Sequence, residues 1–235
     1  EVLFQPLRED PAQGVPDLSL VYAEEQTTGR GRGERRWLPA AVAGLAFSLI
    51  LRPGRFPVEN PAVYSALGAL SVCAALEELA LSPKIKWPND VLLNGRKVCG
   101  ILVESVWLGQ ELDRLVLGLG VNVQSGSVPP GDGLAFPATC VEEELGRAVD
   151  RAGLLHSILQ HLLAWRGRAA GPDFWRKYEQ TMAFRGERVT VFSEGISPVE
   201  GVVSGVDIDG SLLLVMADGS QVRMHAGEMH LRPVV

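Results

Sequence analysis

"KWPNDVLLNGRKVCGILVE", Lys86 to Glu104, sets two apolar runs on either side of Asn94-Gly95. Asn and Gly accept the positive φ that a type I′ turn needs at both central residues. That turn follows the twist of paired strands, so the stretch predicts a β-hairpin over 91–107. "LSLVYAEEQ" (18–26), "GLAFSLILR" (44–52) and "DRLVLGLGVNV" (113–123) read as further strands, because their apolar runs are short and bounded by Gly, Pro or charge. "NPAVYSALGALSVCAALEELAL" (60–81) is a helix: Asn60 can cap it, Pro61 sits where a missing N–H does no harm, and Ser82-Pro83 ends it. "ATCVEEELG" has the spacing of a capping box, Thr139 with Glu142, and a stop at Gly146. Asp150 caps a helix over 151–165, and another begins at Pro172.

After Phe184 the texture changes to short alternating strands turned at Asp209-Gly210 and Asp218-Gly219. The pattern predicts an α+β fold in two domains: a mixed sheet flanked by helices over residues 1–184, and a small β-barrel over 185–235. With 235 residues, of which 46% are hydrophobic, the chain is long enough to bury a full core. Its net charge of −6 argues against general binding to nucleic acid or acidic membranes. The apolar run at 40–51 is too short to span a bilayer. Cys73, Cys99 and Cys140 lie far apart with no C-x-x-C, which reads as buried thiols in a reducing, cytoplasmic compartment. His225 and His230 are five apart on predicted strands, so they face opposite sides and do not share a metal.

Three places interrupt this regular structure with polar residues at strand ends: "GRGRGERRW" (29–37), "KWPNDVLLNGRK" (86–97) and "GLGVN" (118–122). Glycine lets backbone N–H groups come close to phosphate, while arginine and lysine hold phosphate or carboxylate oxygens. Neither glycine cluster fits a Walker loop or a dinucleotide fingerprint. From composition alone, the Gly/Arg segment reads equally well as a solvated basic turn. Trp87 reads as core with Pro88 setting a turn, and Lys86 as structural. Arg30 and Lys97 are harder to explain by packing.

"GRGRGERRW", "KWPNDVLLNGRKVCGILVE" and "GLGVNV", in that order, resemble the biotin–protein ligases, and "VVSGVDIDGSLLL" and "AGEMHLR" extend the resemblance over nearly the whole chain. It implies a class II synthetase-like catalytic domain followed by an SH3-like barrel. The implied reaction joins biotin and ATP as biotinyl-5′-adenylate, then moves biotin to a lysine of a biotin carboxyl carrier protein domain. By resemblance, Arg30 and Lys97 are catalytic. Gln26, Gly29, Gly31, Arg32 and Gly100 join them around biotin and the adenylate, while Arg32, Arg35 and Asn122 face the nucleotide. Asp90 is expected to hold Mg²⁺ or the polar network of the nucleotide site, and Arg232 is a polar candidate on the barrel. The Gly/Arg segment would close over the adenylate and shield its mixed anhydride from water. Glu34 stands where the family pattern has glycine, and the family's Ser-Thr-Asn segment is absent. The resemblance is to the shorter type without a DNA-binding domain, with no membrane or nucleic-acid partner, and it leaves homodimerisation open. A lipoate–protein ligase and an RNA-gripping binding protein are the rival readings.

Overall fold

A computed structural model of the protein describes residues 15–26, 43–52, 60–128, 136–193, 196–225 and 229–233. Six strands make the first sheet: β1 Leu20–Ala23, β2 Gly44–Leu51, β3 Lys84–Lys86, β4 Asp90–Leu93, β5 Arg96–Leu108 and β6 Glu111–Asn122, in the order β1-β2-β6-β5-β4-β3. All its ladders are antiparallel, and among the described residues parallel pairing is confined to isolated bridges between Ile85 and Met182 and between Lys97 and Ala138. The predicted hairpin is present, with Asn94 and Gly95 at φ of 48° and 74°.

Helix α1, Pro61–Glu78, is buried on almost every side, as a helix with apolar residues all round must be. Asn60 Oδ1 accepts from the Ala62 N–H at 2.9 Å, the predicted cap. The helix lies across β5 and β6, and Gly68 sets how closely. A Cβ there would stand 3.3 Å from Ile101 Cγ2 and 3.4 Å from Leu117 Cδ1. α3, Arg151–Arg166, packs on the outer side of α1, capped by Asp150 as predicted. The short α2, Val141–Leu145, departs from expectation: its N-cap is Cys140 rather than Thr139, and no capping box forms. Glu142 instead accepts from the Val149 N–H at 3.0 Å, and the Thr139 hydroxyl turns to Glu144.

α4, Pro172–Thr181, buries Phe174, Trp175 and Tyr178, whose rings meet edge to face. It carries the chain from edge strand β3, where the Ala183 N–H donates to Ile85 O at 2.8 Å, into the second sheet. That sheet comprises β7 Arg188–Ser193, β8 Ile196–Val206, β9 Leu212–Val215, β10 Gln221–Met224 and β11 Met229–Pro233, all antiparallel, in the order β10-β9-β8-β7-β11. The expected barrel is thus a five-stranded sheet among the described residues: no ladder joins β10 to β11. Its β8–β9 turn is seated against the first unit, where Asn60 Nδ2 donates to Asp209 O at 2.6 Å and Trp87 Nε1 to Gly210 O at 3.0 Å.

Candidate active site

Strand residues alternate between faces, so the contact of Ile101 and Leu117 with α1 fixes the other face as well. The ladders place Ala23, Ala46, Gly120, Gly100, Asp90 and Lys86 opposite one another in turn, one rung crossing all six strands. A second rung holds Val21, Ser48, Gly118 and Leu102, and a third pairs Gly44 with Asn122. The face away from α1 is therefore nearly bare backbone across its middle strands, with acid, amide and lysine at its margins. Such a surface leaves room for a ligand to lie flat on the sheet.

Strict alternation would send Lys97 to the α1 face, since it lies three residues from Gly100. A β-bulge prevents this. Val91 faces Cys99 while Leu92 faces Lys97, which makes Val98 the extra residue and re-aims the side chain before it. Lys97 Nζ then lies 2.5 Å from Asp90 Oδ1. Gly100 makes space for it, because a Cβ there would come within 3.1 Å of Nζ and 3.2 Å of Cε. Lys86 Nζ takes the other carboxylate oxygen at 3.2 Å and lies 5.2 Å over the Phe136 ring. Burial alone would raise the Asp90 carboxyl. The ammonium groups of Lys97 and Lys86 outweigh that and hold it below the ordinary carboxylate range.

This arrangement bears on the metal expected at Asp90. Magnesium seeks a shell of oxygens, whereas both oxygens of Asp90 face ammonium groups. Among the described residues, no three His, Cys, Asp or Glu gather to hold an ion. The donor set at Asp90 does not fit Mg²⁺. Its chemistry is that of an anchor for two lysines.

Asn122 closes the other margin. It is buried, its Nδ2 donates to Thr139 O at 3.0 Å, and its Oδ1 has no hydrogen-bond partner among the described residues. A buried acceptor left open is costly unless a ligand donor completes it. Gln26 is half-buried and lies beyond the end of β1. Ala43, where the chain re-enters the described residues, accepts from the Gln124 N–H at 2.8 Å, two residues past Asn122. Ala43 itself is thus tied to the Asn122 margin, and in sequence the segment 27–42 joins it to Gln26. Gly29, Arg30, Gly31, Arg32 and Arg35 lie in that segment, outside the described residues.

The structure brings together Lys97, Gly100, Asp90 and Asn122, which the sequence singled out, and adds Lys86, which it did not. Only the pairing of Lys86 with Asp90 across β3 and β4 reveals that lysine's place. Trp87 is core, as expected, at 2% exposure. Arg232 lies over the Phe192 ring in the other sheet. His225 meets Ser211 at 2.9 Å, and His161 pairs with Glu78 at 2.9 Å, both outside this cluster.

Residues 5–122 match the model of the biotin/lipoate A/B protein ligase family. The chain is 35% identical over 225 residues to the biotin–[acetyl-CoA-carboxylase] ligase of Paracoccus denitrificans, covering 90% of each. It is 38% identical over 146 residues to the bifunctional ligase/repressor BirA of Bacillus subtilis, a match covering 62% of this chain and 45% of that one. The chain thus aligns with about half the length of this relative. The structure of the biotin protein ligase from Aquifex aeolicus in complex with biotin and ATP matches with a TM-score of 0.81 and 32% identity, covering 99% of this chain and 95% of that one.

Proposed function

The chain belongs to the biotin/lipoate A/B protein ligase family, and from that premise we propose that it is an ATP-dependent biotin–protein ligase. In the first step a biotin carboxylate oxygen bonds to the α-phosphorus of ATP, the bond from that phosphorus to the bridging oxygen breaks, and pyrophosphate leaves. In the second, the amine of an acceptor lysine attacks the acyl carbon of biotinyl-5′-adenylate, an amide forms with loss of a proton, and AMP departs.

The observation that carries this reading is the Lys97 ammonium, held by Asp90 above Gly100 on the bare face of the sheet. The first step brings two anions together, and a cation fixed in advance lowers their repulsion without having to move during the reaction. Asp90 fixes that position, and Lys86 adds a second positive charge behind it. The open Oδ1 of Asn122 suits an N–H donor such as an adenine amino group. Arg30 shares the catalytic role with Lys97, while Gln26, Gly29, Gly31, Arg32 and Gly100 bind biotin and the adenylate, and Arg32 and Arg35 join Asn122 in binding the nucleotide. Residues 1–184 form the catalytic domain and 185–235 the smaller one, and the acceptor is the carrier domain of a biotin-dependent carboxylase. Among the described residues no helix is long and apolar enough to cross a membrane. The place of action belonging to this reading is the cytoplasm.

Titration of biotin, with and without a non-hydrolysable ATP analogue, tests the reading. Submillimolar binding that Lys97→Ala abolishes or greatly weakens is the expected result. Binding of lipoate in place of biotin would move the chain to the other branch of its family, and a folded protein that binds neither acid would overturn the reading.

A further inference from the structure

One carboxylate outside the ligand-facing surface gathers the supports of both of its margins. Glu144, on α2, is half-buried as a residue, with its side chain turned inward and 3% exposed. Its Oε1 accepts from the Thr139 hydroxyl at 2.8 Å and from Arg96 Nη2 at 2.6 Å, and its Oε2 accepts from Asn94 Nδ2 at 2.6 Å. These donors belong to three separate parts of the site's frame. Asn94 is a turn residue of the hairpin. Arg96 precedes Lys97 on β5. Thr139 belongs to the strip 137–139, which lies along the start of β5.

That strip holds the site residues directly. The Lys97 N–H donates to Pro137 O at 2.7 Å, and the Thr139 N–H donates to Lys97 O at 2.9 Å. Thr139 O in turn accepts the Asn122 amide at 3.0 Å. Thr139 therefore grips the backbone of Lys97 with its N–H and the side chain of Asn122 with its carbonyl, while its hydroxyl is held by Glu144. The β5–β6 ladder begins at Cys99 opposite Val121, so Lys97 lies beyond the end of β6 on that side, and the strip takes up the backbone pairing there.

We infer that Glu144 is a positioning residue for the adenylation step, setting the spacing between the Lys97 cation and the Asn122 acceptor through Thr139 and Arg96. It touches neither substrate and acts only through these neighbours. The inference rests on the ligase reading above.

The test measures pyrophosphate release from ATP and biotin by the full chain, with wild type, Glu144→Gln, Thr139→Val and Glu143→Gln. Among the described residues the Glu143 carboxylate pairs with Arg96 Nη1, at 2.6 Å, and it is half exposed, so Glu143→Gln serves as the near-neutral control. Loss of a buried charge-assisted hydrogen bond at the frame is expected to raise KM for ATP about tenfold in Glu144→Gln. KM for biotin changes less, and Thr139→Val shows a smaller rise of the same kind. Were Glu144 merely structural, fewer molecules would be folded, which lowers the apparent kcat and leaves KM for ATP where it was. An unchanged KM for ATP in both variants overturns the inference while the ligase reading stands. If Glu144→Gln does not fold, Thr139→Val decides alone, since it removes one hydroxyl and no charge. Wild type that releases no pyrophosphate overturns the ligase reading, and this inference with it.

Discussion

The six-stranded sheet has two faces built from the same strands to opposite ends. Toward α1 it presents Leu45, Phe47, Leu49, Ile101, Leu115, Leu117, Leu119 and Val121, all within a continuous apolar core. Away from α1 the same strands present Ala46, Ser48, Gly100, Gly118 and Gly120, with Asp90, the two lysines and Asn122 at the margins. One face is filled to the density of an interior. The other withholds side chains along its central rung, where Ala46, Gly120 and Gly100 lie side by side, and the groups that border that rung at Asp90, Lys86, Lys97 and Asn122 are polar. The contrast teaches that the α1 face sets stability and the bare face sets chemistry, and that the period of two in β5 and β6 keeps the two concerns apart.

Substitutions on each face should therefore fail in different ways. Lys97→Ala is expected to have the largest effect on activity, slowing adenylate formation by roughly 10²–10³-fold, a loss beyond any drop in stability from leaving the buried Asp90 carboxylate without this partner; single-turnover measurement of pyrophosphate release, at protein concentrations corrected for the folded fraction, checks it. Leu117→Ala, on the packed face, should cost about 2–5 kcal/mol of stability and leave KM for biotin and ATP alone, as urea unfolding and steady-state kinetics would show. If Leu117→Ala altered KM while barely changing stability, the division between the faces would be wrong.

Gly100→Ala sharpens the comparison. Its new methyl group would meet the far end of a flexible side chain rather than backbone, so folding should be nearly unaffected. Lys97 would be displaced by a few tenths of an ångström, and the rate should fall about tenfold. The acid limb gives a fourth test. The Asp90 carboxyl is held below its ordinary range in the folded protein. Its contribution to stability is thus present above the unfolded value of about 4 and is lost as pH falls through the depressed folded value. Thermal melts from pH 7 to pH 3 should show the wild-type midpoint dropping on that limb, and Asp90→Asn should be less stable at neutral pH but less sensitive to acid. The smallest effect is expected at Cys99. Burial pushes its thiol up to about 12, so a maleimide at pH 8 should not label it until the protein is unfolded.

Much of the frame was legible in local sequence. Asn94-Gly95, Asn60-Pro61 and Asp150 are short-range signals, and each produced the turn or cap its chemistry predicts. Lys97 and Asn122 stood out through motif resemblance. What local sequence does not carry is register. The bulge that turns Lys97 toward Asp90 depends on how β4 pairs with β5, and no residue type at 97 or 98 announces it. Lys86 was hidden for the same reason, since it meets Asp90 only once β3 folds back on β4. At Thr139 the spacing rule misled. Glu142 stands at the capping-box distance, but the helix begins at Val141, one residue too late for Thr139 to cap it. Its hydroxyl was therefore free to take Glu144, a partner five residues on. For the small strands after Phe184, the alternation predicted strands and turns but could not say whether the sheet closes, because closure depends on how distant strands pair.

The seating of the β8–β9 turn has a consequence for how the molecule comes apart. Gly210, at φ of 81°, has room for no side chain: a Cβ would stand 3.1 Å from Ala62 Cβ and 3.2 Å from the Trp175 ring. Its carbonyl receives the buried indole of Trp87, and its neighbour's carbonyl receives the residue that caps α1. A fragment ending near residue 184 would lose both acceptors at once and expose the Trp87 and Trp175 indoles to solvent. The two sheets should accordingly melt in one cooperative transition rather than two, and the catalytic half should not survive as an autonomous piece.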